Sequence, residues 1–581
     1  MQKGKRSLGI VLAVCATVVC AAILYSLRYS YLSCSDSVCE FVYGRIYDFG
    51  FAYKRTLDFC LQRGRFGLIF PLIVAVRYKL LGTGSSFVIW AVQYIPICVN
   101  VFLLSFILAR KAGAKCGVLL SLLFFSLLQV NGWHSLITCY PLDFMYGLTL
   151  SLSGLVAFRR SLKMPKGKKK VLIKILSAFL FYESLQTYEA FLTVAAVYLF
   201  LCISSLKREG KLSIKEIFLS LDAQIVTGIL FVAMRIFVIV HPVVPLQDGV
   251  EDLSKLGNPK DFVITLGAFS GGMFPLADLV HPRVRSGILA RGFEVKEIIL
   301  AVIAGIGAFA FMKGVKEDKE AASKVKTLGL CGIIGALCFP VVHALTAVYQ
   351  NWVVEGHQFG YVPTTISYFG WILFITCAVC YLPLSGKTEG KVSPYVTGLI
   401  LCAATLLTFG INRSLEAEKI GPTTISYSYK AQQFFAAAQD SYCSEQGYDY
   451  VLITGFDGVH DSLMFHEILL ENESSTPYYV KVATSAEEYM GMALSCENPG
   501  VVSYDEDSNV AVITDCDDIR DGHMMTNDDI RIVSAHGGDF TVSYEEEGGR
   551  VSEDISLKPG EGVTVENNVP VDTSTIDVVA R

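Results

Sequence analysis

Apolar runs separated by short polar segments fill residues 1–411 of the chain. Runs of this kind are long enough to cross the roughly 30 Å apolar core of a bilayer as helices. We therefore predict a multi-pass α-helical membrane protein with eleven transmembrane helices. The predicted spans are Leu8–Leu27, Phe87–Ala109, Cys116–Val130, Leu142–Phe158, Val171–Tyr182, Ala190–Ser205, Ala223–Val240, Ile298–Phe311, Leu328–Val348, Ile366–Leu384 and Val396–Phe409.

Lys and Arg cluster in six segments around these spans, and the clusters predict which side each loop faces. Cytoplasmic loops of membrane proteins collect such residues. With all six clusters in the cytoplasm, the N terminus lies inside and the chain beyond residue 411 lies outside. We expect a plasma-membrane protein whose working face, including a long first loop at residues 28–86, is extracytoplasmic. The clusters are Lys3–Arg6, Arg110–Lys115, Arg159–Lys170, Lys207–Lys215, Lys313–Lys326 and Lys387–Lys391.

One further apolar run, Phe66–Leu81, does not fit as a crossing. It carries Arg77 and Lys79, and each charge would cost several kcal/mol near the bilayer centre. We predict instead an interfacial helix at the outer surface, with its apolar face down and its cations among the headgroups. A polar stretch at residues 183–189 predicts a tight outer turn between two spans, with Glu183, Gln186 and Glu189 at the membrane's outer edge.

Composition divides the chain into two domains. With 52% hydrophobic residues the whole chain is not a soluble globular protein. Residues 412–581 carry 32 Asp and Glu against 9 Lys and Arg, so the net charge of -5 averages a basic membrane body and an acidic tail. The tail pattern predicts a soluble, extracellular α/β domain. Its expected elements are helices near Ser426–Gln446 and Asp461–Glu471, strands Tyr450–Thr454 and Tyr478–Val482, and β hairpins that include Ile530–Ser534, Phe540–Tyr544 and Val563–Val565.

The first outer loop holds carboxylates and guanidinium groups together. Asp36 is the favoured carboxylate because it follows the first span closely, and Glu40 is next. A carboxylate can take a proton from an attacking hydroxyl, while Arg holds a phosphate leaving group by forked hydrogen bonds. Arg63 and Arg65 flank Gly64 in a plausible phosphate cradle. A hydrated loop whose charges only pair with each other remains the alternative.

Two further positions stand out on physical grounds. Arg235 lies inside a predicted span, where a charge normally faces a cavity or a partner. His134 follows Trp133 in the second outer loop, at a depth where aromatic anchors are also common. Cysteines and acidic runs show no metal-ligand spacing, so we expect neither a metal nor another cofactor.

The order of these features resembles the GT-C superfamily of polytopic glycosyltransferases, and more narrowly bacterial serotype-converting glucosyltransferases. The resemblance covers mainly residues 1 to about 240. The elements that carry it are the first span with its long loop and early Asp36, then Gly64-Arg65-Phe66, Tyr140-Pro141 and Leu185-Gln-Thr-Tyr188-Glu189-Ala-Phe191.

This resemblance implies a hexose, with glucose expected, carried on a polyprenyl phosphate and transferred to a surface polysaccharide or glycolipid. Membrane lipids are expected partners and nucleic acid is not. It implies an essential acidic residue at Asp36; many members have an acidic dyad there, whereas this chain has Asp36-Ser-Val-Cys-Glu40, which leaves the choice between Asp36 and Glu40 open. Arg63, Arg65 and Arg235 would bind the donor phosphate, and His134, Tyr188 and Glu189 would bind substrate. No nucleotide-sugar signature is present.

Two other classes compete with this interpretation. A transporter or lipid-carrier flippase would explain the many spans and Arg235, but the chain shows no repeated halves. A membrane-anchored surface protein that works through its acidic tail is the third class. Sugar, acceptor, stereochemical outcome and oligomeric state are not encoded in any pattern identified.

Overall fold

The computed structural model divides the described part of the chain into two compact units, one helical and one built mainly of strands. The described residues are 2–27, 44, 47–67, 69–83, 86–130, 141–245, 257–355, 362–386, 393–415, 433, 436–437, 440–448, 450–453, 479–482, 491, 495, 497–505, 508, 510–515, 518–520, 523–526, 529–535, 537–546, 549–567 and 569–581.

The helical unit contains the described residues up to Leu415. Its α-helices in chain order are α1 Gln2–Ser26, α2 Phe49–Gln62, α3 Ile69–Leu81, α4 Ser86–Ala112, α5 Ala114–Ser126, α6 Pro141–Leu162, α7 Lys168–Thr187, α8 Ala195–Arg208, α9 Ile214–Val240, α10 Pro259–Gly271, α11 Pro282–Arg291, α12 Val295–Gly314, α13 Lys319–Cys338, α14 Val341–Ala344, α15 Ala347–Val354, α16 Val362–Leu384 and α17 Ser393–Leu415. The 3₁₀ helices are Glu189–Val194 and Ala277–Val280.

The predicted helical membrane class is confirmed, and every predicted span falls on helical structure. Among the described residues, eight helices are long and apolar enough to cross a membrane, so the count of eleven crossings remains a prediction. Those eight are Ser7–Ser26, Phe87–Ala112, Glu189–Arg208, Ile214–Val240, Val295–Gly314, Lys319–Ala344, Pro363–Leu384 and Ser393–Leu415.

The outer faces of these helices are apolar. Along α9, a row of large aliphatic and aromatic side chains is exposed rather than packed against the rest of the unit. A soluble protein does not leave so long a continuous apolar face open, whereas a bilayer covers it without cost. The exposed side chains of α9 include Ile225, Val226, Ile229, Leu230, Val232, Ile236, Phe237 and Val240.

Small residues allow the helices to pack closely inside the unit. A Cβ added to Gly332 of α13 would come within 2.5 Å of the Gly370 carbonyl oxygen of α16. Gly305 of α12 and Gly398 of α17 make a similar approach, at 2.7 Å. Close crossings through glycine are typical of helix pairs in membranes, where van der Waals packing stabilises association.

Four of the basic clusters lie at one end of the helical unit. Lys111, at the end of α4, lies within electrostatic reach of Arg159, Lys163, Arg208 and Lys324. These residues belong to separate clusters that the sequence analysis assigned to the same side of the membrane. Their meeting is the arrangement that such a topology requires.

The interfacial helix predicted at Phe66–Leu81 differs from the expectation in the position of its cations. The helix is α3, but Arg77 is only 2% exposed rather than directed to headgroups. Lys79 donates hydrogen bonds of 2.8 Å to the carbonyl oxygens of Gly44 and Tyr47. Lys79 is therefore held by carbonyl oxygens more than thirty positions away in the chain, and Arg77 is buried within the helical unit.

Two predicted boundaries also shift. The span predicted at Leu328–Val348 ends at Cys338 in α13, and the chain continues as the short helices α14 and α15 after Pro340. Residues 183–187 are not a turn but the last turns of α7, in which Glu183 and Gln186 are buried. The chain breaks at Tyr188, whose backbone is extended, and resumes as the 3₁₀ helix Glu189–Val194.

The C-terminal unit is built on a six-stranded sheet with the order β10-β7-β4-β3-β1-β2. Strand β1 is parallel to β2 and β3, while the other pairs in this sheet are antiparallel. Two three-stranded sheets have the orders β11-β6-β5 and β12-β8-β9. The strands are β1 Tyr450–Ile453, β2 Tyr479–Val482, β3 Pro499–Asp505, β4 Val510–Asp515, β5 Asp518–Arg520, β6 His523–Thr526, β7 Ile530–Ser534, β8 Gly538–Glu546, β9 Gly549–Leu557, β10 Glu561–Val565, β11 Val571–Asp572 and β12 Asp577–Ala580.

Strand predictions in the tail hold better than helix predictions. All five predicted strands overlap β1, β2, β7, β8 and β10. Of the predicted helix near Ser426–Gln446, the described part includes the short helix α18, Tyr442–Glu445. The helix predicted near Asp461–Glu471 lies outside the described residues.

Candidate arginine–glutamate site

The Arg63-Gly64-Arg65 turn follows directly from the end of α2. The amides of Gly64 and Arg65 donate to the carbonyls of Leu61 and Cys60, which closes the helix end. Gly64 has a φ of +68°, a region that favours glycine. A Cβ there would also lie 3.1 Å from Ile239 and 3.3 Å from Arg235. The glycine therefore lets two arginines leave a tight turn that packs against α9.

The C-terminal turn of α7 holds this segment in place. The amide of Phe66 donates to Gln186 Oε1 at 3.0 Å, and Arg65 Nη1 donates to the Thr187 carbonyl at 3.1 Å. The carbonyls at a helix C terminus carry a partial negative charge and favour a cation. Arg65 thus occupies a position that the end of α7 stabilises electrostatically.

Arg65 and Arg235 share the carboxylate of Glu189. Arg65 Nη2 lies 2.5 Å from Glu189 Oε2, and Arg235 Nη1 lies 3.8 Å from the same oxygen. The Arg65 side chain is 8% exposed, whereas those of Arg235 and Glu189 are 28% and 27% exposed. Burial is the largest single influence on the pKa of Arg65 and lowers it, but the charge of Glu189, its hydrogen bond to Arg65 and other neighbouring groups together outweigh burial and leave that pKa raised. Arg65 is the fixed member of the group, and Arg235 remains accessible.

Arg63 adds a third cation beside this pair. Its guanidinium stacks on the Phe59 ring at 3.4 Å from the ring centre. Burial, and then the neighbouring charge of Arg65, lower the pKa of Arg63. Among the described residues, three guanidinium groups therefore gather around one carboxylate. Such an excess of positive charge in a partly enclosed place suits a doubly charged anion such as a phosphate.

Tyr188 connects the arginines to a group of aromatic side chains. Its ring lies 5.1 Å from the Arg65 guanidinium and 5.0 Å from the Phe144 ring. Its hydroxyl forms a hydrogen bond with Nε2 of His343, which is buried in α14. Tyr188 lies between the end of α7 and the 3₁₀ helix that begins at Glu189, and its backbone is extended. Both side chains therefore belong to the site.

Glu183 is a buried carboxyl that the sequence analysis did not count among the site residues. It lies one helical turn before Thr187 in α7, beside the phenol groups of Tyr146 and Tyr182. Its Oε2 atom is buried and has no hydrogen-bond partner among the residues that the structure describes. A buried polar group in this state costs about 1–3 kcal/mol, so a purely structural role would favour another side chain.

The site lies at the end of the helical unit opposite the basic clusters. Helix α7 begins in one of those clusters, at Lys168, and ends at Thr187 beside Arg65. Its 20 residues rise about 30 Å at 1.5 Å per residue. The arginines at the site are therefore separated by a membrane thickness from the Lys and Arg that the positive-inside pattern explains.

Five of the eight predicted site residues come together here: Arg63, Arg65, Arg235, Tyr188 and Glu189. Asp36, Glu40 and His134 lie outside the described residues. The sequence analysis assigned Glu189 to substrate binding, whereas its carboxylate here is the counter-ion of two arginines. His343 lies within the predicted span Leu328–Val348 and was not among the residues assigned to the site, although a polar group there is compatible with sugar binding as well as with an interface belt.

Comparison with known proteins adds little to this geometry. No family model matches the chain, and none of the curated proteins does. Among solved structures, similarity is found to the archaeal oligosaccharyltransferase AglB from Archaeoglobus fulgidus, solved in complex with an inhibitory peptide and a dolichol-phosphate. It is also found to the oligosaccharyltransferase of that organism in its apo form. Both matches have 9% sequence identity, a TM-score of 0.31, and coverage of 97% of this chain and 76% of the other.

A TM-score of 0.31 is too low to carry an argument about fold or activity. The resemblance to serotype-converting glucosyltransferases is not shown by these comparisons and stays a prediction. The functional argument therefore rests on the site itself.

Proposed function

We propose that this protein is a membrane glycosyltransferase of the GT-C kind. It moves a hexose, with glucose expected, from a polyprenyl-phosphate donor to a polysaccharide or glycolipid acceptor at the outer face of the plasma membrane. The observation that carries the proposal is the excess of cations at the arginine–glutamate site. Arg63, Arg65 and Arg235 gather around Glu189 at the end of the helical unit that lacks the basic clusters.

The chemistry is a single displacement at the anomeric carbon. A carboxylate takes the proton from the acceptor hydroxyl, and the hydroxyl oxygen forms a bond to that carbon. The bond between the carbon and the phosphate oxygen breaks, and its electron pair leaves with the polyprenyl phosphate. Negative charge grows on that phosphate, so fixed guanidinium groups stabilise the transition state more than the ground state.

The arginines divide this task by their burial. Arg65 is held by the Thr187 carbonyl and by Glu189, so its charge is oriented before the donor arrives. Arg235 and Arg63 are more exposed and can contact the phosphate directly. Preorganised charge of this kind needs no rearrangement during the reaction.

The base remains the part of the proposal that depends on sequence alone. Asp36, with Glu40 as the alternative, is assigned by its place early in the first outer loop. Glu189 is a poor candidate for the base, because its carboxylate is already engaged by Arg65 and Arg235.

A lipid-carrier flippase is the second candidate. A phosphate site at one end of a helical unit would also suit a protein that receives a lipid phosphate and releases it on the other side. Within the described residues, however, Arg63, Arg65 and Arg235 gather around one carboxylate at one end of the helical unit, as a fixed phosphate site at that end requires.

The test is the composition of surface polysaccharide and lipid-linked sugar in four strains: wild type, null, Asp36→Asn and Glu40→Gln, at matched membrane levels. We expect the null strain to lose one sugar substituent and to accumulate the lipid-linked sugar. One of the two carboxylate variants should reproduce both changes and thereby identify the base.

Three outcomes separate the alternatives. Full decoration in both variants, with loss in the null strain, would overturn the assignment of the base. Loss of the substituent with lipid-linked sugar trapped on the cytoplasmic side would favour the flippase. An unchanged polymer in the null strain would overturn both candidates.

A further inference from the structure

Aromatic rings form an unbroken row that begins at the arginine–glutamate site. The Tyr188 ring, 5.1 Å from the Arg65 guanidinium, lies 5.0 Å from the His343 ring. The His343 ring lies 4.8 Å from Tyr349, and the Tyr349 ring lies 5.3 Å from Trp352. Each ring therefore contacts the next one along the whole distance from Arg65 to Trp352.

The far part of this row is held rigidly. Gln350, next to Tyr349 in α15, is buried and donates from Nε2 to the Ala344 carbonyl at 2.7 Å. Its Oε1 accepts from the amide of Asn258 at 2.8 Å. Because both ends of this amide are fixed by backbone groups, α15 cannot rotate freely. The backbone that carries Tyr349 and Trp352 is thus held in place.

Three rings of the row are partly accessible. Tyr188, Tyr349 and Trp352 are all half-buried rather than enclosed. Tyr349 lies close enough to Arg63 for its phenol to affect that guanidinium electrostatically. Aromatic and cationic side chains therefore border the same region.

A membrane-interface belt is the ordinary explanation for such residues, since Tyr and Trp collect at headgroup depth. Each residue of such a belt points outward to lipid and does not need to contact the other residues of the belt. Here the rings contact one another, and the row runs through the buried His343, which bonds the Tyr188 hydroxyl. Rigid aromatic rings with polar edges are also the surface on which the C–H face of a sugar ring packs.

We propose that Tyr188, Tyr349 and Trp352 form a hexose-binding platform beside the arginine–glutamate site. The platform receives the sugar of a lipid-linked sugar phosphate whose phosphate lies among the arginines, and this inference rests on the proposed function. The sugar stacks on the rings, while the phenol hydroxyl of Tyr349 offers a hydrogen bond to one of its hydroxyl groups.

If the platform exists, substitutions in its rings weaken the contribution of the sugar to binding and leave the contribution of the phosphate unchanged. Tyr349→Leu keeps an apolar side chain of similar reach but removes the aromatic face, and Trp352→Ala removes the far ring. Each should weaken binding of a sugar-bearing lipid roughly tenfold and leave binding of the bare lipid phosphate unchanged. Tyr349→Phe keeps the ring and should retain most of the preference.

The experiment uses the full chain in lipid nanodiscs and measures binding of undecaprenyl phosphate and of its glucose, galactose and mannose conjugates. Wild type should bind at least one conjugate more tightly than the bare lipid phosphate. Tyr395→Ala is the matched control, because Tyr395 is 57% exposed and packs against Phe309 and Lys313, away from the site. It should bind all four lipids as wild type does.

The possible results distinguish the two proposals. If Tyr349→Leu and Trp352→Ala both keep the wild-type ratio of conjugate to bare lipid, the platform is overturned. If wild type binds every lipid equally, the platform is overturned but the phosphate site stands. If wild type binds none of the four lipids, the proposed function itself fails.

Discussion

Two clusters of arginine and glutamate in the helical unit differ in their charge balance. At the arginine–glutamate site, Glu189 is the carboxylate shared by Arg65 and Arg235, with Arg63 beside them. At the end of α17 the charges are closer to balance, because Arg413 forms ion pairs with both Glu294 and Glu297 and Lys296 forms another with Glu294.

The second cluster has a clear structural task. Glu294 and Glu297 form the capping box at the start of α12, and Arg413 ties that start to the end of α17. The arginine–glutamate site instead concentrates cations beyond what its carboxylate neutralises. Paired charges alone therefore do not mark a functional site; an unbalanced group of like charges, held in place by the fold, does so better.

The two clusters should differ most in the free energy of unfolding that each loses when its most buried carboxylate is replaced. Glu189→Gln leaves the buried Arg65 without a counter-ion, at a cost of about 3–5 kcal/mol. Glu297→Gln leaves Arg413 with Glu294, so about 1–2 kcal/mol is expected. Thermal unfolding of the purified variants in one detergent, at one scan rate, measures both. Equal losses would mean that the clusters do not differ in the way described.

Loss of one arginine from each cluster should affect glycosylation differently, even where the unfolding temperature is unchanged. Arg235→Gln removes an accessible cation, and we expect surface glycosylation to fall roughly tenfold to a hundredfold, as for a lost charge-assisted hydrogen bond of about 1.5–3 kcal/mol. Its unfolding temperature should stay near that of wild type. Arg291→Gln removes a guanidinium that donates to the Arg413 carbonyl in the other cluster, and activity should be unchanged. A variant at Arg235 with full activity would remove this cation from the donor site.

Replacement of Glu183 by an apolar residue should raise the stability of the protein and lower its activity. Glu183→Leu replaces a buried carboxyl whose Oε2 has no hydrogen-bond partner in the described part of the chain, so the free energy of unfolding should rise by about 1–3 kcal/mol. Glycosylation should fall, because a carboxyl retained at that cost near the site is expected to serve the reaction. A variant that gains stability and keeps full activity would show that Glu183 has no functional role.

The smallest effect is expected at Glu294. Its hydrogen bond with Lys296, and then the charge of Arg413, lower its pKa from the ordinary value of 4.5. A depressed carboxyl pKa stabilises the folded protein above the ordinary value, and this contribution disappears as the pH falls through the lowered pKa. Glu294→Gln should therefore flatten the loss of unfolding temperature in acid while changing little at neutral pH. An unaltered acid profile would show that the contacts of Glu294 with Lys296 and Arg413 contribute nothing measurable to stability.

The sequence predicted the helices well because apolar runs are local. The predicted spans needed only the hydropathy of neighbouring residues, and each of them overlaps a helix. Arg77 was misplaced for the opposite reason. Its burial depends on contacts made by the folded chain, and the cost of an isolated charge in a bilayer describes a different environment.

The sequence indicated individual residues of the candidate site but not that they lie together in the folded protein. Arg65 and Glu189 are more than a hundred positions apart, and no periodicity connects them. The glycine between two arginines did indicate a turn, which the positive φ of Gly64 confirms. The continuity of α7 through Thr187 was missed because the polar residues Glu183 and Gln186 resemble a loop; both are instead buried between neighbouring helices.

The double attachment of Arg65 has a consequence for turnover. One nitrogen of its guanidinium faces the carbonyl end of α7 and another faces Glu189, so only part of its charge is left for an incoming anion. An anion that competes with these two contacts binds Arg65 more weakly than it would bind an unengaged guanidinium group. If the anion is a spent carrier phosphate, the same two contacts that orient Arg65 also speed the departure of the carrier, which makes the lipid available for another cycle.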